Sequence, residues 1–188
     1  DQTKSVEAAA GKKSQTANSK TVTYNGEEQT VTGYTSNAPE GVTFEGITAT
    51  GSGTNAGEYT VKFSNGAVGK TDTTGKYIVA KTVDGKLTIN KRTVTLKSET
   101  ASKEYDGTPL PRPDVSVTGD GFVSGEVTGI TATGSVTYVS DGTVENTITY
   151  TTGAAFREAN YDITKLPGKL SITQSSNAIV ITMSLKQR

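Results

Sequence analysis

Apolar and polar residues alternate in short runs along this chain, and the runs are separated by glycine, asparagine, aspartate and proline. Alternation with a period of two places one set of side chains on each face of a strand. The cleanest case is Glu58-Tyr59-Thr60-Val61-Lys62-Phe63, with Tyr59, Val61 and Phe63 on one face and Glu58, Thr60 and Lys62 on the other. Before it, Thr21-Val22-Thr23-Tyr24 runs into the turn dipeptide Asn25-Gly26. An extended stretch at residues 30–34 is broken by Asn37-Ala38-Pro39-Glu40-Gly41. Val42-Thr43-Phe44 and Ile47-Thr48-Ala49-Thr50 read as strands around a kink at Glu45-Gly46. After a polar loop over residues 64–75, Tyr77-Ile78-Val79-Ala80 is expected to pair with Leu87-Thr88-Ile89 through a tight hairpin at Asp84-Gly85.

The second half reads the same way. Strands are expected near residues 115–118, 129–133, 135–139, 146–151 and 161–164, and Pro109, Pro111 and Pro113 confine their segment to an edge or a crossing loop. Ala154-Ala155-Phe156-Arg157-Glu158-Ala159 is the one helical candidate, of one or two turns. In the first 20 residues Val6-Glu7-Ala8-Ala9-Ala10 is read as a strand end, and Gly11 with the polar residues after it as a linker. The segment Ile179-Val180-Ile181-Thr182-Met183-Ser184-Leu185 alternates strongly and reads as the first strand of a further unit.

Two stretches recur 83 residues apart. Val83-Asp84-Gly85-Lys86-Leu87-Thr88-Ile89 returns as Leu166-Pro167-Gly168-Lys169-Leu170-Ser171-Ile172, and Ile47-Thr48-Ala49-Thr50-Gly51-Ser52 returns at Ile130-Thr131-Ala132-Thr133-Gly134-Ser135. Ser19-Lys20 against Ser102-Lys103 keeps that offset, and residues 13–17 align with 97–101 at 84. The pattern is that of a tandem duplication. It predicts two all-β domains, residues 1–90 and 91–173, with 174–188 opening a truncated third unit. The domains are expected end to end, giving a rod on the order of 70 Å if each contributes a strand length of about 33 Å.

Composition narrows the chemistry. With 19 basic and 19 acidic residues the net charge is zero, so no global field favours nucleic acid or an anionic surface. Cysteine and histidine are absent, which removes disulfides, thiolate metal sites and the usual neutral-pH acid-base group. Hydrophobic residues make up only 32% of the chain and threonine is its commonest residue, a mix suited to thin sheets with one wet face. No run approaches the roughly 18 apolar residues of a membrane span. The chain opens on Asp1 rather than methionine and is read as processed or as a piece of something longer, with any targeting or anchoring signal expected outside it.

Tyr105-Asp106-Gly107-Thr108, Gly119-Asp120-Gly121-Phe122-Val123 with Gly125-Glu126, Thr133-Gly134-Ser135, Asn160-Tyr161-Asp162-Ile163 and Gly168-Lys169-Leu170-Ser171-Ile172 together resemble the YDG/MBG-type repeat. That family occurs in tandem in large bacterial cell-surface proteins, including adhesins. The first half departs from it, with Tyr24-Asn25-Gly26-Glu27, and its Asn55-Ala56-Gly57-Glu58-Tyr59-Thr60-Val61 is similar to bacterial Ig-like repeats. The resemblance implies a small β module, β-grasp-like or Ig-like, extracellular and monomeric. Its implied role is a non-catalytic spacer for a distal domain that meets a host glycan or protein.

Residue chemistry leaves a few alternatives. Tyr24, Tyr105 and Phe122 are the candidate ligand contacts, since aromatics beside polar turns suit sugar stacking. This carries a rival reading in which the module binds carbohydrate or a host protein directly, or serves a secreted polysaccharide-active enzyme. No catalytic, metal or cofactor residue is assigned. Glycoside hydrolysis needs paired carboxylates, and none are paired by spacing. Asp72, Asp84, Asp114, Asp120 and Asp141 lack the alternating oxygen ligands of a calcium loop. An isopeptide crosslink between a lysine such as Lys62 or Lys103 and Asn146 or Asn160 is the remaining covalent alternative.

Overall fold

The computed structural model describes residues 9–176. The chain is all-β. Helical turns among the described residues are the short 3-10 pieces Val139–Asp141 and Glu158–Asn160, the second covering only the end of the expected helical stretch. No helix among these residues is long and apolar enough to cross a membrane. Backbone contacts divide the chain into two compact units, one ending at Lys91 and the other beginning at Arg92.

The first unit has eight strands: β1 (Gly11–Ala17), β2 (Lys20–Thr23), β3 (Gln29–Thr32), β4 (Tyr34–Ser36), β5 (Ala49–Gly53), β6 (Gly57–Phe63), β7 (Tyr77–Val83) and β8 (Gly85–Asn90). They form two sheets, ordered β4-β1-β7 and β2-β8-β6-β5-β3. Two chain segments pass from one sheet to the other. The first is β1 running into β2 and the second is β7 running into β8, and they lie parallel to each other along both sheets.

This overturns the expected hairpin. β7 and β8 do not pair with each other; β7 pairs with β1, whereas β8 lies between β2 and β6. Asp84-Gly85 is a sheet-to-sheet crossing, and Gly85 is not among the glycines with positive φ. Its small size is what the site requires. A β-carbon there would collide with the carbonyl oxygen of Asn18 and stand 2.8 Å from that of Ala17. At the crossing the Lys86 amide donates to Ser19 Oγ at 3.0 Å, so a hydroxyl stands in for a ladder carbonyl.

The linker expected at residues 11–17 is also a strand. Most of the Val6-Glu7-Ala8-Ala9-Ala10 patch lies outside the described residues, and the polar stretch after it forms β1 because both its edges are paired, by β4 and by β7. Ala17 and Gln15 face inward and are buried. Val42-Thr43-Phe44 is not a strand. Phe44 and Ile47 instead fold over β7 and bury with Ala67 and Val79, while Tyr34, Val42, Phe63 and Tyr77 pack around them. Side chains fully buried like Leu87 and Val61 each contribute about 1.5–3 kcal/mol.

The second unit contains β9 (Arg92–Ser98), β10 (Ala101–Glu104), β11 (Leu110–Pro111), β12 (Val115–Gly119), β13 (Val127–Ala132), β14 (Ser135–Val136), β15 (Val144–Asn146), β16 (Ile148–Thr152), β17 (Tyr161–Leu166) and β18 (Gly168–Thr173). Here β9 and β10 run parallel to β17 and β18, with β12 on the far side of β9 and β15 on the far side of β18. Within the proline segment only Leu110–Pro111 is strand, β11, which pairs with β14 alone, and Pro109 and Pro113 lie outside it. Gly168 again sits where a β-carbon would collide with a carbonyl oxygen, that of Glu99, and the Lys169 amide donates to Thr100 Oγ1 at 3.1 Å. Leu110, Val136, Leu170 and Ile172 form the core beneath.

Register corrects the sequence alignment of the early strands. Lys20 faces Leu87 and Ala101 faces Leu170, so β8 and β18 correspond at 83 residues but β2 and β10 correspond at 81. The pairings Ser19-Lys20 with Ser102-Lys103 and residues 13–17 with 97–101 are therefore displaced by two or three positions. At the corrected register Gln15, facing Thr82, takes the place of Leu96, facing Lys165, and Val61, facing Gly85, takes the place of Asn146, facing Gly168. The alternating segment at residues 179–185 lies outside the described residues.

Candidate functional site

The Tyr-Asx-Gly turns close the parallel strands. After β2, the Tyr24 amide donates to the Asn90 carbonyl at 2.8 Å; after β10, the Tyr105 amide donates to that of Thr173 at 2.9 Å. Each following Asx folds the chain back on itself. Asn25 Oδ1 accepts from the Glu27 amide at 2.9 Å, and Asp106 Oδ1 from the Thr108 amide at 2.9 Å, with Gly26 at φ 83° and Gly107 at φ 79° completing the turns.

Asp106 carries more than its counterpart. Its carboxylate also accepts from the Thr108 hydroxyl at 2.6 Å and from Lys103 Nζ at 3.0 Å. The hydroxyl first, then the amide, then Lys103 hold its pKa down at about 2. Lys103 Nζ in turn donates to Thr108 Oγ1 at 2.7 Å and to the Pro109 carbonyl at 3.2 Å.

The three aromatics expected to meet ligand have different surroundings. Tyr24 is 4% exposed, so its ring is buried in the first unit. Tyr105 is 43% exposed and stands 6.2 Å, centroid to centroid, from Tyr138, itself 55% exposed. Phe122 belongs to an aromatic cluster with Tyr150 at 5.5 Å, Tyr161 at 5.2 Å and Phe156 at 6.3 Å. Within it, the buried Tyr161 hydroxyl donates to Glu126 Oε1 at 2.9 Å and accepts from the Val123 amide at 3.1 Å. Lys165 Nζ lies 5.0 Å from the centre of the Tyr150 ring, whose hydroxyl pKa is raised by burial and then by Glu158.

Tyr138, Tyr150 and Tyr161 are the aromatics that residue-by-residue reading missed as partners. Tyr138 lies inside the expected strand over 135–139, but β14 stops at Val136 and Tyr138 instead caps a 3-10 turn and lies beside Tyr105. Asp141 stabilises that turn by accepting from the Tyr138 amide at 3.1 Å.

Of the carboxylates considered for cation binding, Asp72, Asp120 and Asp141 are engaged in turns. Asp72 accepts from the Thr74 hydroxyl at 2.6 Å and the Tyr77 amide at 3.0 Å, which lowers its pKa against the opposing effect of burial. Asp120 accepts from the Thr93 amide at 2.9 Å, and Asp84 and Asp114 are exposed in the short connections that lead into β8 and β12. Among the described residues no group of three or more acidic side chains gathers as metal ligands.

Asn146 is fully buried. Its Nδ2 donates to the carbonyls of Glu99 at 3.1 Å and Arg112 at 2.8 Å, and its Oδ1 accepts from the Gly134 amide at 3.0 Å. Lys62 points outward from β6 and Lys103 is held in the Asp106 turn, while Asn160 is buried beside β17. Asn146 therefore ties three backbone segments together through hydrogen bonds. No family model, curated protein or solved structure matches the chain.

Proposed function

We propose that this chain is a non-catalytic structural segment of a bacterial cell-surface protein of the adhesin kind, built from two copies of one module and spacing a distal binding domain. The observation that carries the reading is the parallel course of first and last strands within each unit. Gly11 lies beside Tyr77 and Thr23 beside Asn90, while Arg92 lies beside Tyr161 and Glu104 beside Thr173. The chain thus enters each unit at one end of the ladder and leaves it at the other. Such a module adds length to a protein when it is concatenated, whereas one with adjacent termini does not.

The residue chemistry agrees with that role. Asp72, Asp106 and Asp120 serve turns, Asn146 serves the backbone, and histidine and cysteine are absent. Small-angle scattering of the whole chain tests the spacer reading. An extended particle supports it and a globule overturns it.

The exposed Tyr105 and Tyr138 pair favours a second reading, direct contact with a carbohydrate. A glycan array probed with the parent and with Tyr138→Ala separates the two. Binding that the substitution abolishes supports the second reading, and no binding by the parent removes it.

A further inference from the structure

We propose that each unit is a shear clamp, a mechanical element that resists tension applied along the chain. In the first unit the segment comprising β1 and β2 lies against the segment comprising β7 and β8, with six residue pairs in one sheet, three on each side of a register shift between Lys13 and Ser14, and four in the other. In the second unit β9 and β10 lie against β17 and β18, again with six pairs and four. Because these neighbours are parallel and are the first and last strands of their unit, pulling the ends apart slides one segment lengthwise along the other.

Direction of load decides the outcome. Inter-strand hydrogen bonds lie across the strands, and in a parallel pair they are evenly spaced. A force along the strands loads the whole row together, so rupture requires many bonds to fail in one step. A force that separates the strands from one end meets the bonds singly. Forced unfolding is governed by the unfolding rate, so the loading geometry matters even where equilibrium stability is unchanged.

Two features keep the ladder continuous where a sheet-to-sheet crossing would interrupt it. Hydroxyls take over from backbone carbonyls, with the Lys86 amide on Ser19 Oγ and the Lys169 amide on Thr100 Oγ1. In the second unit the Gly168 amide also donates to Ser98 Oγ at 2.9 Å, and that hydroxyl donates to the Asn146 carbonyl at 2.6 Å. The clamped segments are also flanked on their outer sides. β4 covers β1 and β6 covers β8, while β12 covers β9 and β15 covers β18. Sliding therefore breaks more than the central row.

The clamp deepens the spacer reading and rests on it for its biological purpose, although its mechanics stand independently. The chain lacks cysteine, so handles can be placed singly. Ala9, Lys76 and Lys91 are exposed, and Lys76 sits at the same end of the ladder as Gly11, whose amide donates to its carbonyl at 2.8 Å. Single-molecule pulling of the full chain through Ala9→Cys with Lys91→Cys shears the first unit. Pulling through Ala9→Cys with Lys76→Cys unzips the same strands.

The expected result is a rupture force several-fold higher in the first geometry, with both variants unfolding at the parent's denaturant midpoint. Equal forces in the two geometries, or a higher force on unzipping, overturn the clamp. A compact particle in solution scattering overturns the spacer reading while the difference in force persists, so the two failures are distinguishable.

Discussion

The Lys86 amide hydrogen-bonds to the Ser19 hydroxyl across the point where two parallel segments leave one sheet for another. That bond sits one residue from Gly85, whose missing β-carbon lets the segments approach. The relationship between Thr100 and Lys169 beside Gly168 is the same.

Gly85→Ala and Gly168→Ala are each expected to destabilise their unit. Neither glycine has positive φ, so lost chain entropy in the unfolded state would by itself make alanine stabilising by about 0.4–1 kcal/mol. The collision with the Asn18 or Glu99 carbonyl reverses the sign, at a cost of about 1–3 kcal/mol for forced overpacking. Denaturant melts of the two variants check this, and a gain in stability would show that the backbone there has room to move.

Gln15→Leu is expected to stabilise the first unit. Both polar atoms of the Gln15 side chain are buried without a hydrogen-bond partner, while the same position in the second unit is the buried Leu96. An unsatisfied buried amide costs about 1–3 kcal/mol, and leucine removes that cost while filling similar volume. Thermal or urea unfolding reads the gain directly.

Asn146→Ala is expected to destabilise the second unit by about 2–4 kcal/mol, since buried groups left without partners cost about 1–3 kcal/mol and a cavity adds to it. The carbonyls of Glu99 and Arg112 and the amide of Gly134 each lose a bond. Asn146→Val, which copies Val61 of the first unit, should recover packing but not those bonds. Its stability should fall between parent and alanine variant in the same melts.

Acid should weaken the Tyr105 turn over a defined range. The Asp106 pKa is depressed from its usual 3.8 to about 2, so its stabilising effect is complete above the higher value and is lost as pH falls through the lower. Thr108→Val removes the strongest of the bonds that depress it and should move the Asp106 titration upward. A carboxyl-carbon NMR titration of the two proteins measures the shift, and coincident curves would contradict the assignment of cause.

Local chemistry made the strands legible and hid their partners. The alternation in β6 and the inward positions Leu170 and Ile172 of β18 can be read directly from residue type. Asp84-Gly85 and Pro167-Gly168 look like hairpin turns because glycine more often serves positive φ than close approach. β1 was obscured for the opposite reason. Its interior position is held by Gln15, a polar residue that no apolar periodicity marks. Turn aspartates were legible as turns, whereas the Tyr105 and Tyr138 pair depends on a loop path that no short motif encodes.

The neighbours of the opening strand impose an order on folding. Gly11 cannot meet Tyr77, nor Arg92 meet Tyr161, until nearly the whole unit has emerged from wherever the chain is made or moved. A protein whose beginning waits for its end has slow, late contacts. During vectorial emergence the first strand of each unit therefore waits unpaired on that edge until the last strand arrives, whereas β3, β5 and β6 can pair earlier.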